Sequence, residues 1–144
     1  MERFRFRLES VRKWRHLELE LEEAKLQGLF TELRGLEAHQ AALAAGKAEA
    51  ERSVLTAKTV PAQQLAALDD HRQWVATQQA LLAHRVAGCN ARIVAQRERV
   101  RKAEQNLELL NRLKQRRLTE WSAEVDKEYQ TLAEEAFLAG WRRR

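Results

Sequence analysis

The chain has 144 residues, 33% of them charged and 6% aromatic, with one proline, five glycines and one cysteine. Abundant Ala, Leu, Glu, Arg and Gln are the strong helix formers, so the composition belongs to long helices. A lone Cys89 excludes an internal disulfide framework and fits a reducing compartment, while a net charge of +5 makes nucleic acid a partner to be tested.

Met1–Arg7 alternates Phe4 and Phe6 with Arg3, Arg5 and Arg7. Period-two patterning of this kind suits a strand, but no second strand exists to pair with it. An extended or fraying lead-in to a helix is therefore expected. No apolar h-region follows these charges, so no secretory signal is visible. The longest weakly apolar stretch, around Ala41–Ala45, is far short of the roughly 20 residues that a membrane span needs. A cytoplasmic protein is expected, with docking to a membrane-bound partner left open.

Helix 1 is expected over about Leu8–Leu55. Its apolar stops include Leu8, Val11, Trp14, Leu17, Leu21, Ala24, Leu29, Leu33, Leu36 and Leu43, with Val54 near the end. The spacing is near-heptad, with a phase slip at Ala24–Leu29 that reads as a stutter. Gly28, Gly35 and Gly46 each cost about 1 kcal/mol relative to Ala within a helix and make it the softer of the two.

Thr56–Ala62 holds the break. Pro61 follows two β-branched residues, Thr59 and Val60, and disfavours helical geometry at Val60. Thr59 or Thr56 is placed to cap the start of the next helix.

Helix 2 is expected over about residues 63–140. Alternate steps of three and four from Leu65 land on Leu68, Arg72, Val75, Gln79, Leu82, Val86, Cys89, Ile93, Gln96, Val100, Ala103, Leu107 and Leu110. All but Arg72, Gln79 and Gln96 are apolar or Cys. Such a seam faces a partner along its whole length, and a connection of about six residues makes antiparallel neighbours. The expected fold is thus all-α, a single antiparallel two-helix coiled-coil hairpin folded about residue 59. Leu43 should lie near Val75, and Trp14 near Ala103–Glu104. The seam slips at Lys114 and resumes at Leu118, Trp121, Val125, Tyr129, Leu132, Ala136 and Ala139. At 1.5 Å per residue helix 2 spans about 115 Å and helix 1 about 70 Å. An unpaired amphipathic overhang carrying Trp121, Tyr129, Leu132 and Leu138 therefore predicts a partner or a fold-back.

Chemistry is sparse. His16, His39, His71 and His84 lie far apart, with no pair at helical spacing to share a metal. Cys89 occupies a seam position and reads as a small buried hydrophobe. The carboxylates Glu18, Glu20, Glu22 and Glu23 read as a solvated helix face, and no Gly-rich phosphate loop exists. Neither an enzyme nor a cofactor is expected.

Charge is zoned. Arg3–Arg15 carries six bases and one acid, Arg85–Arg117 ten bases and three acids, and Leu118–Ala139 six acids and one Lys. Antiparallel pairing brings both basic zones to the open end of the hairpin. They form either a solvated face or a surface for an acidic partner. Trp74, off the seam, is either a side-packing residue or an exposed anchor.

With these residues in view, the chain resembles the FliJ family of flagellar type III export proteins. The likeness lies in FRFRLESVRKWR (Phe4–Arg15), in LLNRLKQRRLTEW (Leu109–Trp121) and in the acidic tail Glu124–Ala136 ending in EEA. Size, hairpin layout and a helix-breaking tip fit along the whole chain. The resemblance implies a non-enzymatic component of the export apparatus, similar to the central stalk of a rotary ATPase. Its terminal end sits in the export ATPase ring and promotes ring assembly and activity. Its tip engages the membrane protein of the export gate, and some members handle export chaperones. Such a protein works in the cytoplasm, peripherally at the inner face of the membrane at the flagellar base. On this reading Arg112, Arg116, Arg117 and Trp121 make the ring contact. A loose alignment places the gate contact at Trp74, Gln78, Leu81 and Arg85. The family's tip tyrosines on helix 1 have no match, that region reading AALAAGKAEAE (Ala41–Glu51). The stalk of a virulence-type injectisome is the neighbouring alternative, and a basic nucleic-acid-binding coiled coil the alternative of a different class.

Overall fold

A computed structural model describes residues 2–144. It consists of two helices packed against each other as an all-α hairpin, α1 (Glu9–Leu55) and α2 (Ala62–Arg142), joined by residues 56–61. Neither Gly nor any other described residue has a positive φ, so both helices run unbroken. α1 closes where Thr56 turns back: its N–H and its Oγ1 both reach the Arg52 carbonyl, at 3.1 and 2.9 Å. Thr56 therefore ends α1 and does not cap α2. The first bonds of α2 are taken by the Pro61 carbonyl, which accepts from the N–H groups of Gln64 (3.0 Å) and Leu65 (3.3 Å). This puts proline where no N–H is missed.

Packing divides the chain into two units, each built from both helices: Glu22–Arg99, and the residues up to Leu21 together with Val100–Arg144. In the first, Leu43, Val75, Leu82, Cys89 and Ile93 are buried, with Leu82, Val75 and Cys89 at 1% exposure or less. Leu43 and Val75, which folding about residue 59 predicts to lie near each other, are both buried. Cys89 Sγ donates to the Leu29 carbonyl at 3.5 Å. Cross-helix pairs Glu51–Arg72 (3.0 Å) and Glu32–Arg92 (2.7 Å) run in opposite order along the helices, as antiparallel packing demands. At the start of α2 the seam departs from expectation. Leu65 and Arg72 are exposed and His71 is half-buried, with Arg72 reaching Glu51 of α1 from the edge of the contact.

The seam also contains one buried amide. Gln96 is 7% exposed, and its Nε2 donates to the Glu22 carbonyl at 2.9 Å and to the Glu22 carboxylate. That hydrogen bond is the main reason the Glu22 carboxyl is held below the usual carboxylate range, helped by Lys25 and Arg99.

In the terminal unit Val100 and Ala103 are buried, but α1 meets them differently than its apolar spacing predicts. Leu8, Val11, Trp14, Leu17 and Leu21 are 37–55% exposed, and Ala24 beyond them is exposed as well. The half-buried positions here are Arg12, Arg15, Glu18 and Leu19, continuing to Glu22, Leu26 and Leu29. Those positions extend the three-four spacing of Leu43, Leu36 and Leu33 backwards without a slip. The helix thus keeps one phase toward its partner and makes no stutter at Ala24–Leu29. The N-terminal apolar stripe sits one residue off that phase, about 100° around the helix, and faces solvent.

Candidate interaction surfaces

The residues expected to make the ring contact all lie on the terminal unit. Arg112 Nη2 is 2.6 Å from Glu108 Oε1, one helical turn away, and Arg117 Nη1 is 3.3 Å from Glu120 Oε2. Arg116 is exposed. Trp121 is not part of a bare overhang. It is half-buried, with the Phe4 ring 5.8 Å away at 52°, an edge-tilted aromatic pair. The segment before α1 has no regular secondary structure. It lies along α2 and forms a groove of about 1120 Å³ lined by Phe4, Phe6, Leu113, Arg117, Trp121 and Glu124, among others. The bare part of α2 therefore begins beyond Val125, later than spacing alone predicts. There Tyr129, Leu132, Phe137, Leu138 and Trp141 are 56–73% exposed.

The basic zone is less repulsive than its formula suggests, because carboxylates interleave with it. Arg12 grips Glu9 with two nitrogens, at 2.6 and 3.0 Å, and reaches Asn111 Oδ1 at 3.5 Å. Lys114 Nζ approaches the same carboxylate at 3.1 Å. These two cations, Arg12 first, pull the Glu9 pKa down from 4.5 to about 2, and Glu9 in turn raises that of Arg12. Arg15 bonds Glu18 at 2.9 Å while its guanidinium lies 4.7 Å from the centre of the Trp14 ring. The long stems of Arg12 and Arg15 fill the α1–α2 contact where apolar side chains were expected.

The expected gate residues share one side of α2 at spacings of four, three and four. Trp74 is 54% exposed and Leu81 44% exposed; Arg85 is exposed and Gln78 half-buried. Trp74 stacks on His71 with ring centres 6.0 Å apart at 25°, so it packs sideways and still presents more than half its surface. His71 Nε2 is buried with no hydrogen-bond partner.

The stripe Val11–Trp14–Leu17–Leu21 is the surface that spacing alone misassigned. Leu19, Leu26 and Leu29, in phase with Leu33 and Leu36, were the signal that competed with it. Among the described residues no cluster of His, Cys, Asp and Glu is placed to hold a metal, and no helix is long and apolar enough to cross a membrane.

Comparison with protein-family models, with curated proteins and with solved structures finds no match to this chain.

Proposed function

We propose that this protein is a non-enzymatic adaptor of the bacterial flagellar type III export apparatus, a helical stalk that promotes assembly and activity of the export ATPase ring. Its tip-side surface contacts the membrane protein of the export gate, and it escorts export chaperones. The observation that carries this reading is the terminal unit. There α2 continues beyond Val125 as a bare amphipathic helix next to a charged end bearing Arg112, Arg116 and Arg117. A surface of that kind suits insertion into a protein ring and offers no enclosed pocket for a small substrate. The resemblance of Phe4–Arg15, Leu109–Trp121 and Glu124–Ala136 to the FliJ family supplies the identity of the ring.

Stimulation of ATP hydrolysis by the cognate export ATPase tests it. The unmodified chain should co-purify with the ATPase and raise its turnover. The triple substitution R112E/R116E/R117E should abolish both while leaving helicity intact. Undiminished binding and stimulation by the triple variant would remove the ring assignment. Trp74→Ala with Leu81→Ala should weaken capture by the gate's cytoplasmic domain and leave the ATPase response alone. The stalk of an injectisome differs from this reading only in its cognate ATPase, so pairing the chain with each ATPase decides between them. The nucleic-acid alternative draws on the pI of about 9.8. Carboxylates beside Arg12, Arg112, Lys114 and Arg117 interrupt the phosphate track it needs. DNA binding whose affinity falls steeply with salt would favour it over the stalk.

A further inference from the structure

The segment before α1 is tied to the hairpin at one end only. At Glu9 the chain is held to α2 by the Lys114 ammonium, 3.1 Å from the carboxylate, and the Phe6 carbonyl accepts from the Glu9 N–H at 3.1 Å. From there back to residue 2, no hydrogen bond or ion pair joins the segment to α2 among the described residues. What rests on α2 is two rings. Phe4 and Phe6 are half-buried, whereas Arg3, Arg5 and Arg7 are exposed, so the period-two pattern turns the aromatics inward and the charges to water. The Phe4 ring meets that of Trp121 at 5.8 Å. The groove of about 1120 Å³ that both line, with Phe6 and Leu113, is open space, unlike the close packing of a sealed core. Two half-buried rings in a loose fit, with no polar tie, form a contact that opens without unfolding either helix. The arginines stay solvated when it does.

We propose that residues 2–8 are a releasable clasp over Trp121. With the clasp down, Phe4 occupies one side of the indole; with it withdrawn, that side is free for the export ATPase ring. The proposal rests on the ring reading above, which puts Trp121 in the ring contact. It adds a competition within the chain, because lead-in and ring want the same aromatic surface. The ring then binds only the uncovered fraction at full strength, and its apparent affinity is lowered by that fraction. Arg112 and Arg116 do not line the groove and stay available in both states. The clasp therefore weakens ring binding and does not abolish it.

Titration of the full chain into the cognate export ATPase tests it, using the double variant F4A/F6A, Trp121→Ala and the triple variant F4A/F6A/W121A. Helicity should be unchanged in the double variant, since both rings precede α1. That variant should bind the ATPase at least about threefold tighter than the unmodified chain, and Trp121→Ala should bind more weakly. The gain should vanish in the triple variant, because there is no indole left to uncover. Binding by the unmodified chain that the double variant merely equals or falls below overturns the clasp alone. A gain that persists without Trp121 does the same. No binding by any of the four chains overturns the ring reading and removes the masking with it. A second measurement needs no ATPase. With Trp14, Trp74 and Trp141 each replaced by Phe, Trp121 is the sole tryptophan. Acrylamide should quench its fluorescence more strongly once Phe4 and Phe6 are Ala. Unchanged quenching would mean that the rings do not cover the indole, and it too overturns the clasp.

Discussion

The seam of α2 around Leu82 and the stripe of α1 around Trp14 are written in the same apolar spacing, and the fold uses them oppositely. Leu82 and Cys89 are sealed at 1% exposure or less, while Trp14 and Leu17 keep more than half their surface in water. Spacing says that a helix has a stripe; only its phase relative to the neighbouring helix says whether the stripe belongs to the fold. On α1 the downstream leucines set that phase, and Arg12, Arg15, Glu18 and Leu19 inherit the inward positions near the N-terminus. An apolar stripe excluded from its own hairpin is free for another surface.

The sharpest way to break this contrast is to truncate both stripes. Leu82→Ala removes buried methyl groups and leaves a cavity, and should cost about 2–4 kcal/mol in urea unfolding. Leu17→Ala should change stability by no more than about 0.5 kcal/mol. Comparable losses at both sites would mean that the α1 stripe is part of the core after all. Thiol labelling gives the same comparison without a substitution. Buried Cys89 should react only as fast as the seam opens, so added urea should accelerate labelling in step with unfolding.

The single polar stop of the buried seam comes next in size. Gln96→Ala removes an amide that bonds both the carbonyl and the carboxylate of Glu22, and should cost about 1–2 kcal/mol. Gln96→Leu fills the same volume with apolar surface and should be neutral or stabilising in urea. If Leu there destabilises as much as Ala, the hydrogen bonds outweigh the packing at this layer.

The comparison also explains what could be read from residues alone. The α2 seam was legible from Val75 to Leu110 because one phase holds there, and the break at Pro61 had no competitor. The α1 half near the N-terminus was misread because two leucine series share it, Val11–Trp14–Leu17–Leu21 and Leu19–Leu26–Leu29. Choosing between them needs the position of α2. The cover that Phe4 places on Trp121 was invisible for a different reason: the lead-in has no helical period, and its path is fixed by tertiary contact. Charge zoning was legible as a count but not as electrostatics, since the pairing of Glu9 with both Arg12 and Lys114 depends on register. Of the expected contact residues, Arg116, Leu81 and Trp74 are exposed, whereas Trp121 is half-buried beside Phe4.

Smaller still is the effect of helix propensity where nothing is packed. Gly35 and Gly46 sit in ordinary helical backbone, and a Cβ built on either meets nothing within 4 Å. Gly35→Ala and Gly46→Ala should each stabilise α1 by about 0.5–1 kcal/mol, read as a higher urea midpoint. No gain would mean that α1 is not limited by propensity, and that its tie to α2 alone sets stability.

The least of these effects lies in the terminal unit, where polar contacts replace the seam. Glu9 has its pKa lowered from 4.5 to about 2, first by the Arg12 hydrogen bonds and then by Lys114. A carboxyl whose folded pKa is depressed binds fewer protons folded than unfolded. Its contribution is therefore fully present above about pH 4.5, and is lost as the pH falls toward 2. The group is exposed and screened by water, so the loss in thermal stability should be slight and should shrink further in high salt. The titration itself is the firmer readout. Side-chain carboxyl NMR should place the Glu9 midpoint near pH 2. Lys114→Ala should raise that midpoint partway and Arg12→Ala by more. A Glu9 midpoint that Lys114→Ala leaves unmoved would mean that the first turn of α1 is not held against α2. The polar stems at Arg12 and Arg15 would then be no substitute for the apolar seam within Glu22–Arg99.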